Sequence, residues 1–307
     1  MPVIISPRYH KTNSYVGGIE AGGSKFICAI ASSEGETIKQ ARFATSDPRE
    51  TLQRAVEFFQ ENIPRGKDSE FESVFSSLGI GAFGPVGVNA RSSDYGRILN
   101  TPKRGGEGVD LIEPFKAAFP ELKVLVDTDV NVAALGEGRF GIAKGLDSYV
   151  YITVGTGIGG GVVVNNEIIK GLLHSEIGHV SIRREEEDFF EGACPFHSDC
   201  IEGLASGEAI MQRWGHRAEC LPPGHVAWEL ESKYIASLCQ TLTAVLSPQR
   251  IILGGGVMEQ GLLLAMVRER FQEKVGGYWE VPSDYIVTSG LGGQAGITGA
   301  LCLAQEA

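Results

Sequence analysis

The sequence predicts an α/β protein built as two facing lobes of related design, on three observations. Its 307 residues exceed an ordinary single core and fit two lobes of near-average size. Short runs rich in Val and Ile alternate with longer segments of helical periodicity. A strand, a glycine turn and a second strand occur near Gly22 and again near Gly157, a repetition of pattern and not of residues.

The elements follow in order. "YVGGIE" (15–20) and "KFICAIAS" (25–32) flank "AGGS", and "TIKQARFAT" (37–45) follows the turn "SEG", so three antiparallel strands open the chain. A helix starts at "DPRE" and runs to about Asn62: Asp47 is its cap, Pro48 suits the first position, and Glu50 is placed to complete a capping box. A strand over 77–84 ends at Pro85, and a helix over 111–119 leads to the strand "KVLVDTD" (123–129). The first lobe closes there, giving an N-terminal lobe of residues 1–128, completed by a C-terminal helix over 294–307, and a second lobe of residues 129–293. Residues 148–169 read as two strands around a glycine-rich turn, with a hairpin at Asn165 and Asn166. Val226, Leu230, Tyr234, Leu238, Leu242 and Val245 recur at three- and four-residue spacing and predict a long core-facing helix. "RIILGGGV" (250–257) is a buried strand ending in three glycines, and the chain finishes in a loop and a helix of small residues.

Composition narrows the function classes. Hydrophobic residues at 43% and charged residues at 21% describe a soluble globular chain and exclude a disordered one. A formal charge of −11 works against binding a polyanion, so neither nucleic acid nor an anionic membrane is an expected partner. No apolar run reaches the roughly 18 residues of a membrane span, and the opening residues lack the apolar stretch of a secretory signal, which makes the cytoplasm the expected compartment. In that reducing setting the six cysteines read as thiols or metal ligands before disulfides.

Glycine lets backbone N–H groups approach an anion closely, which is why phosphate-cradling turns are rich in it. Three such turns end strands here: Gly22 and Gly23, residues 155–161, and Gly254, Gly255 and Gly256. Each alone is as readily a structural turn; three at strand ends say more. No P-loop spacing is present, and "GTGIGG" runs on into strand residues and not a helix, which counts against Walker and Rossmann sites. A nucleotide held by hairpin turns of two facing lobes is what is left.

"GGIEAGGSKF" (17–26), "GPVGV" (84–88), "DTDVNVAALGE" (127–137), "VGTGIGGG" (154–161), "SEIGH" (175–179), "CPFHSDCIEG" (194–203) and "ILGGGV" (252–257) together resemble the ROK family of sugar kinases and regulators, in order from Gly17 to the C-terminus. The opening motif and the "HSEIGH … CPFHSDCIEG" block are most similar to the bacterial fructokinases. The resemblance implies the two-lobed actin-like, hexokinase-like fold: two ribonuclease-H-like α/β domains with ATP and sugar meeting in the cleft between them. Two positions depart from the pattern, Glu20 where the family often has Asp and Ser24 where it often has Thr, and each keeps the functional group.

Carried over residue by residue, the resemblance implies that Asp129 is the base that accepts the proton of the attacking sugar hydroxyl. At a strand-to-helix corner the same Asp suits a helix cap. Asp127 lies two residues earlier, on the same strand face. Glu20 is implied to orient Mg²⁺ through water; Gly22, Gly23, Ser24, Lys25, Gly155, Thr156 and Gly157 are implied to hold the phosphates through N–H groups and hydroxyls. Ser24 and Thr156 fit turn stabilisation as well, and Lys25 fits a solvated strand end. Gly254, Gly255 and Gly256 resemble the family's adenosine contact. Asn100, Asn131, Glu176, His179 and Glu202 match its sugar positions, with donors and acceptors suited to a ring of hydroxyls.

Cys194, His197 and Cys200 are each separated by two residues, and fourteen residues lie between His179 and Cys194. Two thiolates and two imidazoles make a complete tetrahedral set for a structural Zn²⁺, with no vacancy to activate water. Many relatives use one histidine and three cysteines, and His197 matches the fructokinase-like form. A Cys194–Cys200 disulfide is the competing reading, disfavoured by a reducing compartment. The charge run over 184–192 is expected to be solvated and to carry no chemistry.

The expected activity is ATP- and Mg²⁺-dependent phosphorylation of a hexose, D-fructose to fructose 6-phosphate, by a homodimer of the kind common in the family. Glucose, mannose or N-acetylmannosamine kinases of the same family are the alternatives in class. A sugar-sensing regulator is the alternative outside it, against which stands the short stretch before Gly17, too small for a DNA-binding module. A catalytically inert binding protein would not need Asp129 and the glycine turns intact.

Overall fold

Two five-stranded sheets of the same topology face each other across a cleft. The computed structural model describes residues 13–23, 25–64, 73–100 and 106–307. Strands β1 (Asn13–Ala21), β2 (Lys25–Ser32) and β3 (Thr37–Ala44) form the antiparallel meander the sequence predicts. Helix α1 (Pro48–Asn62) follows, with the Asp47 carboxylate accepting from the N–H groups of Arg49 and Glu50. Glu50 does not reach back as a capping box would; it accepts from the Ser46 hydroxyl at 3.0 Å. Leu52, Ala55, Val56 and Phe59 recur at three- and four-residue spacing on its buried face, and Phe59 packs on the rings of Phe75 and Phe115. Strand β4 (Ser73–Ala82) runs parallel to β1 and ends before a cis Gly84–Pro85 bond; helix α2 (Glu113–Ala118) precedes β5 (Lys123–Thr128), which is parallel to β4.

Helix α3 (Asp129–Arg139) leaves β5 without a loop and leads to the second sheet. There β6 (Tyr149–Val154), β7 (Ile158–Val164) and β8 (Glu167–Ile168) repeat the meander, turning at Asn165 and Asn166, whose φ values of 53° and 66° are those of a tight two-residue hairpin. Helices α4 (Ile201–Ala205), α5 (Gly207–Trp214) and α6 (Ala227–Leu246), strand β9 (Arg250–Gly254), helix α7 (Leu263–Val275), strand β10 (Ile286–Thr288) and helix α8 (Ala295–Ala304) complete the chain. The sheets have orders β3-β2-β1-β4-β5 and β10-β9-β6-β7-β8. Numbered from its own first strand, each reads 3-2-1-4-5, with three antiparallel strands and then two parallel ones, so the repetition seen in the sequence is a repetition of topology.

Helices α3 and α8 pack backbone to backbone: a Cβ on Gly299 would lie 1.5 Å from the Val132 carbonyl oxygen. Helix α8 also lies on β1, β2 and β4 of the first sheet. The core-facing helix is present as α6, but its predicted stripe fails at the ends, where Val226 is 61% and Val245 75% exposed while Tyr234, Leu238 and Leu242 are buried. Both failures are end effects: Val226 precedes the first residue of α6, and Val245 lies in its last turn.

Candidate active site

Where the two sheets face each other, residues from both line a cavity of about 830 Å³. Asp129 is on its wall, at the first position of α3. The capping role open to it is filled by Thr128, whose Oγ1 accepts from Asn131 N–H at 3.1 Å, while the Asp129 carboxylate accepts from its neighbour Val130 N–H at 2.9 Å. Asp127 does not share its face. The strand ends at Thr128, so Asp127 points into the protein, fully buried, where Asn131 Nδ2 donates to it at 2.6 Å and Lys170 Nζ lies 2.6 Å away. The structure therefore places Asn131 off the cleft wall, its amide spent on Asp127.

Two of the glycine turns face each other across the cavity and the third adjoins the second. In the first, Gly22 N–H donates to Lys25 C=O at 2.9 Å; in the second, Gly155 N–H donates to Gly157 C=O at 2.9 Å. These two N–H groups close their own turns and are not left to meet an anion. Ser24 lies outside the described residues. Lys25 is neither a free clamp nor a free strand end: its Nζ is 3.0 Å from Glu20 Oε1. The other Glu20 oxygen, Oε2, is buried against Gly296 and has no hydrogen-bond partner among the described residues. Gly255, at φ 90°, sits so close to the Val154 backbone that a Cβ would come within 2.4 Å of its carbonyl oxygen. Gly254, Gly255 and Gly256 all line the cavity, as do Gly23 and Thr156.

Glu176, His179 and Glu202 line the same cavity as Asp129. Glu202 also holds the second turn, its Oε2 accepting from Ile158 N–H at 2.9 Å. Asn100 is exposed and off the cavity wall among the described residues. Sequence reasoning missed His174, whose Nε2 accepts from Val86 N–H at 3.3 Å, leaving Nδ1 3.4 Å from Glu176 Oε1. It stands in the quoted motif, but its partner is 88 residues away and no local spacing signals it.

His179, Cys194, His197 and Cys200 converge, with all four ligand atoms within 4.8 Å of one another. Cys194 Sγ is 3.8 Å from both His179 Nδ1 and His197 Nδ1, and Cys200 Sγ is 3.5 Å from His179 Nδ1. A tetrahedron with Zn–S of about 2.3 Å and Zn–N of about 2.1 Å has S–N edges of about 3.6 Å, so the donor set fits the ion. All six cysteines are free thiols. Burial pushes the bare Cys200 thiol up to about 11, and a bound cation reverses that preference toward thiolate. The charge run is not wholly solvated: Asp188 is buried, accepting from Tyr234 OH at 2.6 Å and paired with Arg213 at 3.0 Å, because both partners reach it from the helices beneath.

No helix among the described residues is long and apolar enough to cross a membrane. A fructokinase of Zymomonas mobilis is 44% identical over 95% of this chain and 96% of its own length, and one of Pediococcus pentosaceus is 40% identical over 95% and 98%. The crystal structure of a Streptomyces griseus glucokinase in complex with glucose and AMPPNP superposes with a TM-score of 0.73 at 26% identity, covering 95% of this chain and 100% of that one. The two matched sheets and their cleft are thus the sugar-kinase architecture expected from the motifs. The sequence model of the ROK family matches residues 16–307, so motifs, topology and relatives agree: the chain belongs to the ROK family.

Proposed function

We propose that this protein transfers the γ-phosphoryl group of ATP to a hexose, and that the hexose is D-fructose, phosphorylated at its 6-hydroxyl. The observation that carries the kinase reading is the place of Asp129, on the cavity wall with the glycine turns and with its capping role taken by Thr128. Fructose over glucose is supported by the 40–44% identity to the two fructokinases against 26% to the glucokinase.

Asp129 accepts the proton of the sugar hydroxyl as its oxygen attacks the γ-phosphorus and ADP leaves. Gly23, Thr156 and Gly157 line the phosphate path. Glu176, Glu202 and His179 bind sugar hydroxyls; Asn100 joins them if lobe closure brings it to the wall. With Nδ1 turned to the cysteines, His179 has Nε2 left for the sugar. Asn131 acts indirectly, by fixing Asp127 beneath the start of α3. Glu20, with a buried oxygen lacking a partner, suits the hydration shell of Mg²⁺, which supplies charge neutralisation of the phosphates when bound. His179, Cys194, His197 and Cys200 would hold a structural Zn²⁺ that keeps the loop beside Glu202 in place. The lobes divide between residues 128 and 129, with α8 counted in the first.

The test is a coupled ADP-release assay over fructose, glucose, mannose and N-acetylmannosamine. The expected result is a kcat/KM for fructose at least about ten-fold above the others, the scale that one or two hydroxyl contacts set. Preference for another sugar moves the assignment within the family, and no turnover with any hexose sinks it.

A further inference from the structure

Glu137, the last residue of "DTDVNVAALGE", has no part in the chemistry above, yet it is fully buried. Its carboxylate has four hydrogen-bond donors. Oε1 accepts from the Ser289 hydroxyl and from Leu291 N–H at 3.0 Å; Oε2 accepts from Ile142 N–H at 2.9 Å and Gly290 N–H at 3.3 Å. A buried carboxylate is costly unless such donors satisfy it, so this pocket is shaped for an acceptor-only group. Room for it is left by Gly141, where a Cβ would lie 2.0 Å from Oε2.

The donors belong to two segments, the turn after α3 and the link between β10 and α8. That link is cleft wall: Thr288, Ser289, Gly292 and Gly293 line the cavity together with Gly254, Gly255 and Gly256. Ser289 Oγ passes the connection on, accepting from Gly292 N–H at 2.8 Å. Asp129 and Glu137 stand at the two ends of one helix, about 12 Å apart along its axis at 1.5 Å per residue.

We propose that Glu137 is a positioning residue for the nucleotide: it clamps the 289–293 link to the helix that carries Asp129, so that one rigid element sets both the base and the nucleotide wall. The inference rests on the kinase reading of the cleft and extends it to a residue that touches neither substrate. A role confined to folding would weaken the binding of both substrates; this role weakens the nucleotide alone.

The experiment measures AMPPNP and fructose affinity by calorimetry, and KM for ATP and for fructose, in the full-length wild type, Glu137→Gln and Ser289→Ala. Gln keeps the shape but turns an NH₂ toward N–H donors. The nucleotide Kd and KM should rise about ten-fold or more in Glu137→Gln and about three-fold in Ser289→Ala, with the fructose values within about two-fold. An unchanged nucleotide Kd, or equal losses for both substrates, overturns the assignment. If Glu137→Gln does not fold, Ser289→Ala, which leaves the carboxylate three of its partners, decides by the same criterion. A wild-type chain that binds no AMPPNP sinks the kinase reading instead, so the two failures are distinguishable.

Discussion

The two glycine turns that face each other across the cleft are made alike and supported differently. Each joins two antiparallel strands at the head of its sheet, and in each the first glycine donates its N–H back across the turn. Behind the first, among the described residues, stand the Thr45 hydroxyl, donating to Gly22 C=O at 2.8 Å, Phe83 N–H, donating to Ala21 C=O at 2.9 Å, and the Lys25–Glu20 pair. Behind the second stands the segment that begins at Cys200. Glu202 accepts from Ile158 N–H, Gly207 N–H donates to Gly155 C=O at 2.7 Å, and Glu208 N–H to Thr156 C=O at 3.3 Å. Similar turns are thus backed by different groups: the first by the Glu20 carboxylate, the second by the segment that begins in the cysteine–histidine cluster.

The asymmetry predicts graded damage. Cys200→Ser, which removes one of the four converging donors proposed to hold Zn²⁺, should give the largest loss: metal content falls on elemental analysis, Tm drops by more than about 10 °C, and kcat/KM falls by about 10³-fold. Retention of full activity without bound metal breaks the link between cluster and turn. Gly157→Ala comes next, because its Cβ would lie 2.4 Å from Glu202 Oε2 and push the carboxylate off Ile158. A displacement of that size is expected to cost about 10²-fold in kcat/KM. Gly155→Ala sharpens the contrast within one turn. It meets nothing within 4 Å, so Tm should hold, while a methyl group on the proposed phosphate path should raise KM for ATP about ten-fold. Smallest of all, Lys25→Met on the first turn removes a part-exposed ion pair and should change unfolding free energy by less than about 1 kcal/mol.

What was legible in the sequence is what neighbours in the chain determine. The β1–β2–β3 meander, the cap at Asp47 and the hairpin at Asn165–Asn166 depend on residue types a few positions apart, and the structure has them all. The same holds for Cys194, His197 and Cys200, which one tight loop brings together. Partners supplied from elsewhere were not legible. That Glu202 accepts from Ile158, that Asn131 spends its amide on Asp127, and that Arg213 and Tyr234 draw Asp188 inward all depend on how separate segments are laid over one another. Asp127 and Asn131 are only four residues apart, yet which way each points depends on where β5 gives way to α3. Glycine pattern likewise says where a turn is, not which of its N–H groups are left to bind an anion.

The central claim is that Asp129 takes the proton from the sugar while Thr128 caps the helix. Asp129→Asn tests it most directly, since the amide keeps the side chain's size but cannot act as the base. Single-turnover phosphoryl transfer from ATP to fructose should fall by more than about 10³-fold, with Tm and the affinities for AMPPNP and fructose unchanged within about two-fold. Transfer at a near wild-type rate in a folded, substrate-binding variant would contradict the account.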